Sequence, residues 1–161
     1  MRFKNFIEND CHKIKLSANQ RLHTTDKSEL KIYSVASNEQ KIDMKPKGLW
    51  YACGFDWVEW CEGENFRLEG IKHKFVLDID FSDILVLDNN EKILDFSKKY
   101  GSDTKHEYVM INWKKVSEDY SGLEICPYSW GLRMKLMWYY GWDVASGCIW
   151  NKDVVININK L

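Results

Sequence analysis

A chain of 161 residues, 45% hydrophobic and 29% charged, holds enough apolar material for one globular domain with a sizeable core. Its formal net charge of -1 excludes the global positive field that drives non-specific nucleic-acid binding. No run approaches the roughly 18 consecutive apolar residues of a membrane span. We therefore expect a single domain over residues 1–161 with no membrane partner.

Taken in chain order, residues 1–28 are polar and weakly patterned, which predicts a peripheral N-terminal extension. Beyond them, short β-branched runs bounded by turn residues predict strands. These runs are 31–36, 49–53, 75–79, 84–87, 108–111, 122–125, 147–150 and 154–158.

Fewer segments have the features of helices. Asp56 followed by Glu59 is typical of a helix start, and Gly101 of a helix stop. Trp130, Met134, Met137 and Trp138 recur at helical spacing and predict an apolar stripe packed in the core. The predicted helices are 56–64, 90–100, 113–119 and 129–140. Strands grouped around a few helices, without regular β-α alternation, predict an α+β fold.

The five cysteines are odd in number and form no CxxC pair, which argues against a disulfide framework and a structural zinc site. We predict that they are reduced and mostly buried, in a cytoplasmic protein. A Cys-His nucleophile pair stays open, because its partners need to meet only in space. The residues concerned are Cys11, Cys53, Cys61, Cys126 and Cys148, and His12, His23, His73 and His106.

Two segments of this tryptophan-rich chain combine large aromatic residues with polar ones. Residues 47–61 carry three of the eight tryptophans on one strand-turn-helix corner, which predicts a core or a cleft. In residues 138–151, Asp143 and Ser146 precede a strand predicted to be central and buried. Polar residues just before such a strand are well placed to contact a ligand. Alternatively, Asp143 caps a turn and Ser146 is merely small.

These segments resemble two motifs of the ADP-ribosyltransferase fold, in its diphtheria-toxin-like branch with the poly-ADP-ribose polymerases. Lys-Gly-Leu-Trp-Tyr-Ala at residues 47–52 is similar to the motif Gly-x-Gly-Ile-Tyr-Phe-Ala, and Trp-Cys at 60–61 to its helix end. Ser-Gly-Cys-Ile-Trp-Asn at 146–151 is similar to Asn-Glu-Tyr-Ile-Val-Tyr-Asn. With 31–36 as the first strand, the order of the motifs is also that of the family.

The resemblance implies a split, mixed or antiparallel sheet with a few flanking helices. It implies transfer of ADP-ribose from NAD to a protein or nucleic-acid acceptor, as in a mono-ADP-ribosyltransferase. Ser34 falls near the family's ribose-binding histidine. Trp50 or Tyr51 falls on the tyrosine that stacks on nicotinamide, and Trp57 is a further cofactor-binding candidate.

The catalytic glutamate of the family falls on Ser146, which offers a hydrogen bond but no charge. Stabilising developing charge is usually the largest catalytic term, so losing the glutamate should cost orders of magnitude in rate unless a nearby carboxylate replaces it. Asp143 is the first candidate, with Glu59 and Glu124 left open. The alternatives are a non-catalytic NAD- or nucleotide-binding or interaction module on the same fold, or an unrelated α+β fold with core tryptophans. An RNA 2'-phosphotransferase on this fold would use basic residues, here Arg133 and Lys135.

Overall fold

The computed structural model of the chain describes residues 14–102 and 109–161. The strands in these residues are β1 Gln20–Thr25, β2 Ile42–Asp43, β3 Leu49–Ala52, β4 His73–Ile79, β5 Ile84–Val86, β6 Ile111–Asn112, β7 Gly122–Ile125, β8 Ser146–Ile149 and β9 Val155–Lys160. The α-helices are α1 Asp56–Glu64, α2 Asn90–Tyr100, α3 Trp113–Asp119, α4 Trp130–Arg133 and α5 Met137–Tyr140.

Seven of the described strands form one mixed sheet in the order β5-β7-β8-β3-β1-β4-β9, and β2 pairs with β6. Within the large sheet, β5 and β7 are parallel and the other pairs are antiparallel. The α+β class and the mixed sheet with a few helices are therefore confirmed. None of the helices in the described part of the chain is long and apolar enough to span a bilayer.

The described apolar side chains group into three clusters around this sheet. Helices α2 to α5 cover β7 and β8, with Trp113, Trp138 and Trp142 fully buried. Helix α1 packs Val58 and Cys61 against Leu22 and Val76 of β1 and β4. The third cluster covers the opposite face of the sheet, with Tyr51, Leu77, Ile79, Ile84, Ile149 and Val154.

Several predicted elements lie where the sequence places them. Helices α2 and α3 span the predicted residues, and so does β7. Helix α1 also spans 56–64, although Phe55 occupies the N-cap position, so Asp56 and Glu59 lie in the first turn. Acidic groups there interact favourably with the partial positive charge of the helix N-terminus.

The N-terminal third of the chain differs from the prediction. Residues 31–36 form no strand; Val35 N donates one backbone hydrogen bond to Trp150 O, and Tyr33 is 72% exposed. The strand next to β3 in the sheet is instead β1, which lies between β3 and β4. Residues 20–25 are therefore not part of a peripheral extension. The sequence of β1 does not predict a strand, because Leu22 is the sole aliphatic residue among its six.

The helix predicted over 129–140 is also wrong, because the segment forms two short helices, α4 and α5. Leu136 has an extended backbone (φ -117°, ψ 113°) that interrupts the helix and changes its phase. As a result, Trp130 and Met134 are exposed at 68% and 79%, whereas Trp138 is fully buried. The predicted core stripe therefore holds at one end only.

The cysteine prediction needs one correction. The structure joins Cys53 and Cys126 in a disulfide across 73 residues of chain, and a spacing that long carries no local signal. Cys61 and Cys148 are free and buried, as predicted. Cys11, His12 and His106 lie outside the described residues, and so does the first residue of the strand predicted over 108–111.

Candidate functional site

A cavity of about 270 Å³ opens between β1, β3, α1 and the loop that enters β8. We call it the cleft. Five of the six residues predicted to form a site line it, although they come from distant parts of the chain: Trp50, Tyr51, Trp57, Asp143 and Ser146. The remaining wall includes Trp142 and residues 22–24, and the lysine and arginine side chains that line the cleft are Lys45 and Arg67.

The cleft exists because the sheet opens between β1 and β3. These strands share one residue pair, Leu22 with Ala52, whereas β1 pairs with β4 over six residues. Beyond that pair, His23 Nδ1 lies 2.6 Å from the backbone oxygen of Trp50. A carbonyl oxygen accepts only, so Nδ1 is the donor and Nε2 is left as the basic nitrogen.

His23 is a residue that the sequence prediction missed, because β1 itself was not predicted. Burial lowers the pKa of the His23 imidazole, and the hydrogen bond to the Trp50 carbonyl opposes that shift. The net effect favours the neutral ring around pH 7. The cleft therefore contains a neutral imidazole whose Nε2 can accept a proton.

The indole of Trp50 lies on the cleft side of β3. Its ring makes an edge-to-face contact with Trp142 at a centroid distance of 4.9 Å, and the Lys45 ammonium lies 5.5 Å from its centroid. Trp57 stacks on Trp60 at 5.2 Å. Trp50 and Trp57 are thus each held by a neighbouring ring, which keeps an aromatic wall in place.

Tyr51 points to the other side of the sheet, since successive strand residues alternate. A Cβ added to Gly147 would lie 2.4 Å from the Tyr51 hydroxyl, so the phenol lies directly over that glycine. Burial raises the pKa of the Tyr51 hydroxyl, and the Glu124 carboxylate raises it further. Of the two alternatives left open by the sequence, Trp50 rather than Tyr51 presents its ring to the cleft.

Glu124 belongs to the same side as Tyr51. Its carboxylate is 2% exposed and binds Arg21 through two contacts, 2.7 Å from Nε and 2.9 Å from Nη2. The side of the sheet that carries Tyr51, Glu124 and Gly147 is called the ion-pair face below. The opposite side, with Trp50, Ala52 and Ser146, is called the cleft face.

Asp143 is the sole carboxylate among the described residues that line the cleft. Its Oδ1 accepts a 3.3 Å contact from Arg133 Nη2, with side-chain exposures of 27% and 25%. Such a partly exposed, long ion pair is weak. The Ser146 hydroxyl donates to Val144 O at 2.9 Å. Glu59 and Glu124, the other carboxylates left open, do not line the cleft.

Ser34 is not brought to the cleft. It lines another pocket, of about 290 Å³, together with Asp83, Asp119 and Ser121. Its hydroxyl oxygen accepts a hydrogen bond from Lys152 N at 3.0 Å. The role predicted for Ser34 depended on a strand over 31–36 beside β3, and that strand does not form.

Comparison with known proteins identifies no relative of this chain. No protein-family model matches the chain, and no curated protein or solved structure matches it. The function is therefore argued from the cleft itself, in which an aromatic wall, a cationic rim and one carboxylate meet.

Proposed function

We propose that the cleft binds NAD or a related nucleotide and that the protein is ADP-ribosyltransferase-like, transferring ADP-ribose to a protein or nucleic-acid acceptor. One observation carries the proposal: Trp50 and Trp57 of one segment and Asp143 and Ser146 of another, distant segment line the same cavity. The resemblance implies nicotinamide stacking for Trp50 and the position of the catalytic glutamate for Ser146, and Asp143 and Trp57 are the neighbouring candidates for the charge and for cofactor binding.

The aromatic wall suits the base of such a ligand. The Lys45 ammonium already lies over the Trp50 ring, so this ring attracts cations. The nicotinamide of oxidised NAD is a pyridinium cation and would take the place of that ammonium. Lys45, once displaced, and Arg67 on the rim would then be available to the pyrophosphate.

The size of the cleft limits how much of the ligand it encloses. Its volume of about 270 Å³ is close to the lower limit of about 300 Å³ for small-molecule pockets. That space suits a base with its ribose rather than a whole dinucleotide. The second nucleotide would lie along the open side, beyond the cationic rim.

The proposed reaction breaks the glycosidic bond between nicotinamide and ribose, and neutral nicotinamide leaves with the bonding electron pair. An acceptor nucleophile forms the new bond to the ribose carbon and loses its proton to His23 Nε2. The Asp143 carboxylate would stabilise the positive charge that develops on the ribose. Ser146 would exchange its contact with Val144 O for a ribose hydroxyl.

A second candidate is a non-catalytic NAD- or nucleotide-binding module. The observation that favours it is the contact of Asp143 with Arg133, which reduces the net negative charge available to a transition state. In this alternative the same aromatic wall and cationic rim hold the ligand, and no bond is broken.

Two measurements test the proposal. Titration of the full chain with NAD should quench tryptophan fluorescence, and the change should be smaller in Trp50→Phe than in Trp130→Phe, a control for an exposed indole outside the cleft. Absence of any change at millimolar NAD would contradict both candidate functions.

Nicotinamide release then separates enzyme from binder. Asp143→Asn should lower release by at least about tenfold if the carboxylate stabilises the transition state. Equal release from both proteins would remove Asp143 from the mechanism. Binding without release from either, with protein and nucleic-acid acceptors present, would favour the module.

We also propose a cytoplasmic location, in line with an odd number of cysteines that form no CxxC pair. Cellular thiols keep that compartment reducing, so the Cys53–Cys126 bond would open there and leave two thiols.

A further inference from the structure

Two cysteines and a carboxylate meet on the ion-pair face. Cys53 directly follows β3 and Cys126 directly follows β7, and β8 lies between these strands. One sulfur from each cysteine and a carboxylate oxygen of Glu124 all lie within 4.8 Å of one another. The proposed chemistry in the cleft uses none of these groups.

We propose that Cys53, Cys126 and Glu124 form a binding site for a zinc-type divalent metal ion when the disulfide is reduced. Thiolate and carboxylate ligands are both used by Zn²⁺, at about 2.3 Å from sulfur and about 2.0–2.2 Å from oxygen. Tetrahedral coordination at those lengths puts two sulfurs about 3.8 Å apart, so the sulfurs, which are bonded in the structure, move apart once the disulfide is reduced. Hard cations such as Mg²⁺ prefer all-oxygen ligands and do not suit this set.

Charge balance supports a divalent ion. In the disulfide form, the buried Glu124 carboxylate is neutralised by Arg21. Two thiolates beside the buried Glu124 carboxylate add two negative charges, which are costly to leave unbalanced in a partly buried site, and one divalent cation cancels them. The site is therefore neutral both as a disulfide and as a metal complex.

Arg21 and the metal can share the carboxylate. Arg21 Nε and Nη2 contact different oxygens of Glu124, and each carboxylate oxygen has two lone pairs. A metal ion would use one lone pair while the guanidinium keeps the others. Arg21 then acts as a positioning residue that holds the ligand carboxylate, in the way that second partners orient metal ligands.

The two forms of the site are connected by a balanced exchange. Two molecules of a small thiol reduce the disulfide, supply two electrons and two protons, and leave as their own disulfide. Metal binding then displaces two protons from the cysteine thiols. The site holds either the disulfide or the metal, never both, and the metal affinity rises with pH.

Cobalt provides the direct test. The full chain, reduced with a phosphine and titrated with Co²⁺, should bind one equivalent and show the near-ultraviolet charge-transfer band of thiolate-bound cobalt. Zn²⁺ should bleach that band. The air-oxidised chain should show no band, and neither should Cys53→Ser or Cys126→Ser.

Matched variants separate this site from the other cysteines. Cys148→Ser and Cys11→Ser keep the three proposed ligands and should keep the band. Glu124→Gln should weaken zinc binding at least about tenfold while leaving both sulfur ligands, an effect comparable to the loss of one orienting partner. The cysteine variants carry the test by themselves if Glu124→Gln fails to fold.

Three results would overturn the proposal: no stoichiometric binding by the reduced chain, a band that survives in Cys53→Ser or Cys126→Ser, or equal zinc affinity in the oxidised and reduced chains. All three are independent of NAD binding, so the outcome does not depend on the function proposed for the cleft.

Discussion

The two faces of strands β3, β7 and β8 differ in how closely their charged side chains pair and how deeply they are buried. On the ion-pair face, Glu124 and Arg21 meet at 2.7 Å and 2.9 Å, and the carboxylate is almost fully buried. On the cleft face, Asp143 and Arg133 meet at 3.3 Å and about a quarter of each side chain is exposed. The buried pair links β1 to β7, whereas the longer, partly exposed pair is weak.

Adjacent residues therefore serve different purposes. Trp50 and Tyr51 are neighbours in the chain, yet strand alternation sends the indole to the cleft and the phenol over Gly147 towards Glu124. Variants on each face test this division.

The largest effect is expected for Glu124→Gln. The amide cannot neutralise Arg21, and removal of one partner from a buried ion pair costs about 3 kcal/mol or more in the free energy of unfolding. Urea denaturation followed by circular dichroism measures the loss. The control is Asp88→Asn in the exposed pair of Asp88 with Lys92, for which we expect little change. Equal stability of the two variants would show that burial adds nothing to the Glu124 pair.

Gly147→Ala should come next. A Cβ there would lie 2.4 Å from the Tyr51 ring and 2.8 Å from the backbone oxygen of Leu123, so the strand or the phenol must move. Overpacking of this kind costs about 1–3 kcal/mol, measurable in the same urea experiment. Gly131→Ala is the matched control, because nothing lies within 4 Å of its added Cβ. A Gly147→Ala protein as stable as wild type would mean that Tyr51 does not rest on the glycine.

The sequence predicted the elements that carry their own signal. Helix α2 has Asn89 as its cap, whose side chain accepts from Lys92 N, together with buried Ile93, Phe96 and Tyr100. Strand β7 has Leu123 and Ile125 at alternate positions and is buried throughout, including at Glu124. In both, local chemistry and tertiary burial agree, so the periodic pattern alone located them.

The elements that failed depend on distant partners. β1 is a polar strand whose pairing partner over six residues is the distant β4. The helix break at Leu136 involves no proline or glycine at that residue, so the sequence does not predict it. Much of the candidate site was still predictable, because Trp50 and Ser146 lie in β3 and β8, which pair directly, and Asp143 lies in the loop that enters β8. His23 was not predictable, since its position depends on β1 diverging from β3.

A smaller effect should distinguish the two aromatic neighbours. Trp50→Ala should weaken NAD binding about tenfold, or about 1.4 kcal/mol, because a stacked base gains about 1–3 kcal/mol from an aromatic side chain. Tyr51→Phe removes a hydroxyl from the ion-pair face and should leave NAD affinity unchanged. Isothermal titration calorimetry on both variants measures the difference. Equal losses would contradict the division of the two residues between the faces.

The smallest predicted effect is a pH dependence that comes from the opening between β1 and β3. Burial holds the pKa of His23 in the folded protein below its ordinary value, so the unfolded chain binds a proton first as the pH falls. Below about pH 6.5, the ordinary histidine pKa, the free energy of unfolding should decrease. The contribution of His23 to that slope is at most about 1.4 kcal/mol per pH unit.

His23→Gln tests this origin, because its amide can still donate to the carbonyl oxygen of Trp50 and cannot take up a proton in this range. We expect a shallower decline between pH 6.5 and pH 5 than in wild type, by urea denaturation at each pH. His73→Gln keeps His23 and should keep the wild-type decline. If the His23→Gln and wild-type profiles superimpose, the imidazole is not held neutral by folding. Its pKa in the folded protein would then be the ordinary value of about 6.5, and folding would contribute nothing to the neutral form in the cleft.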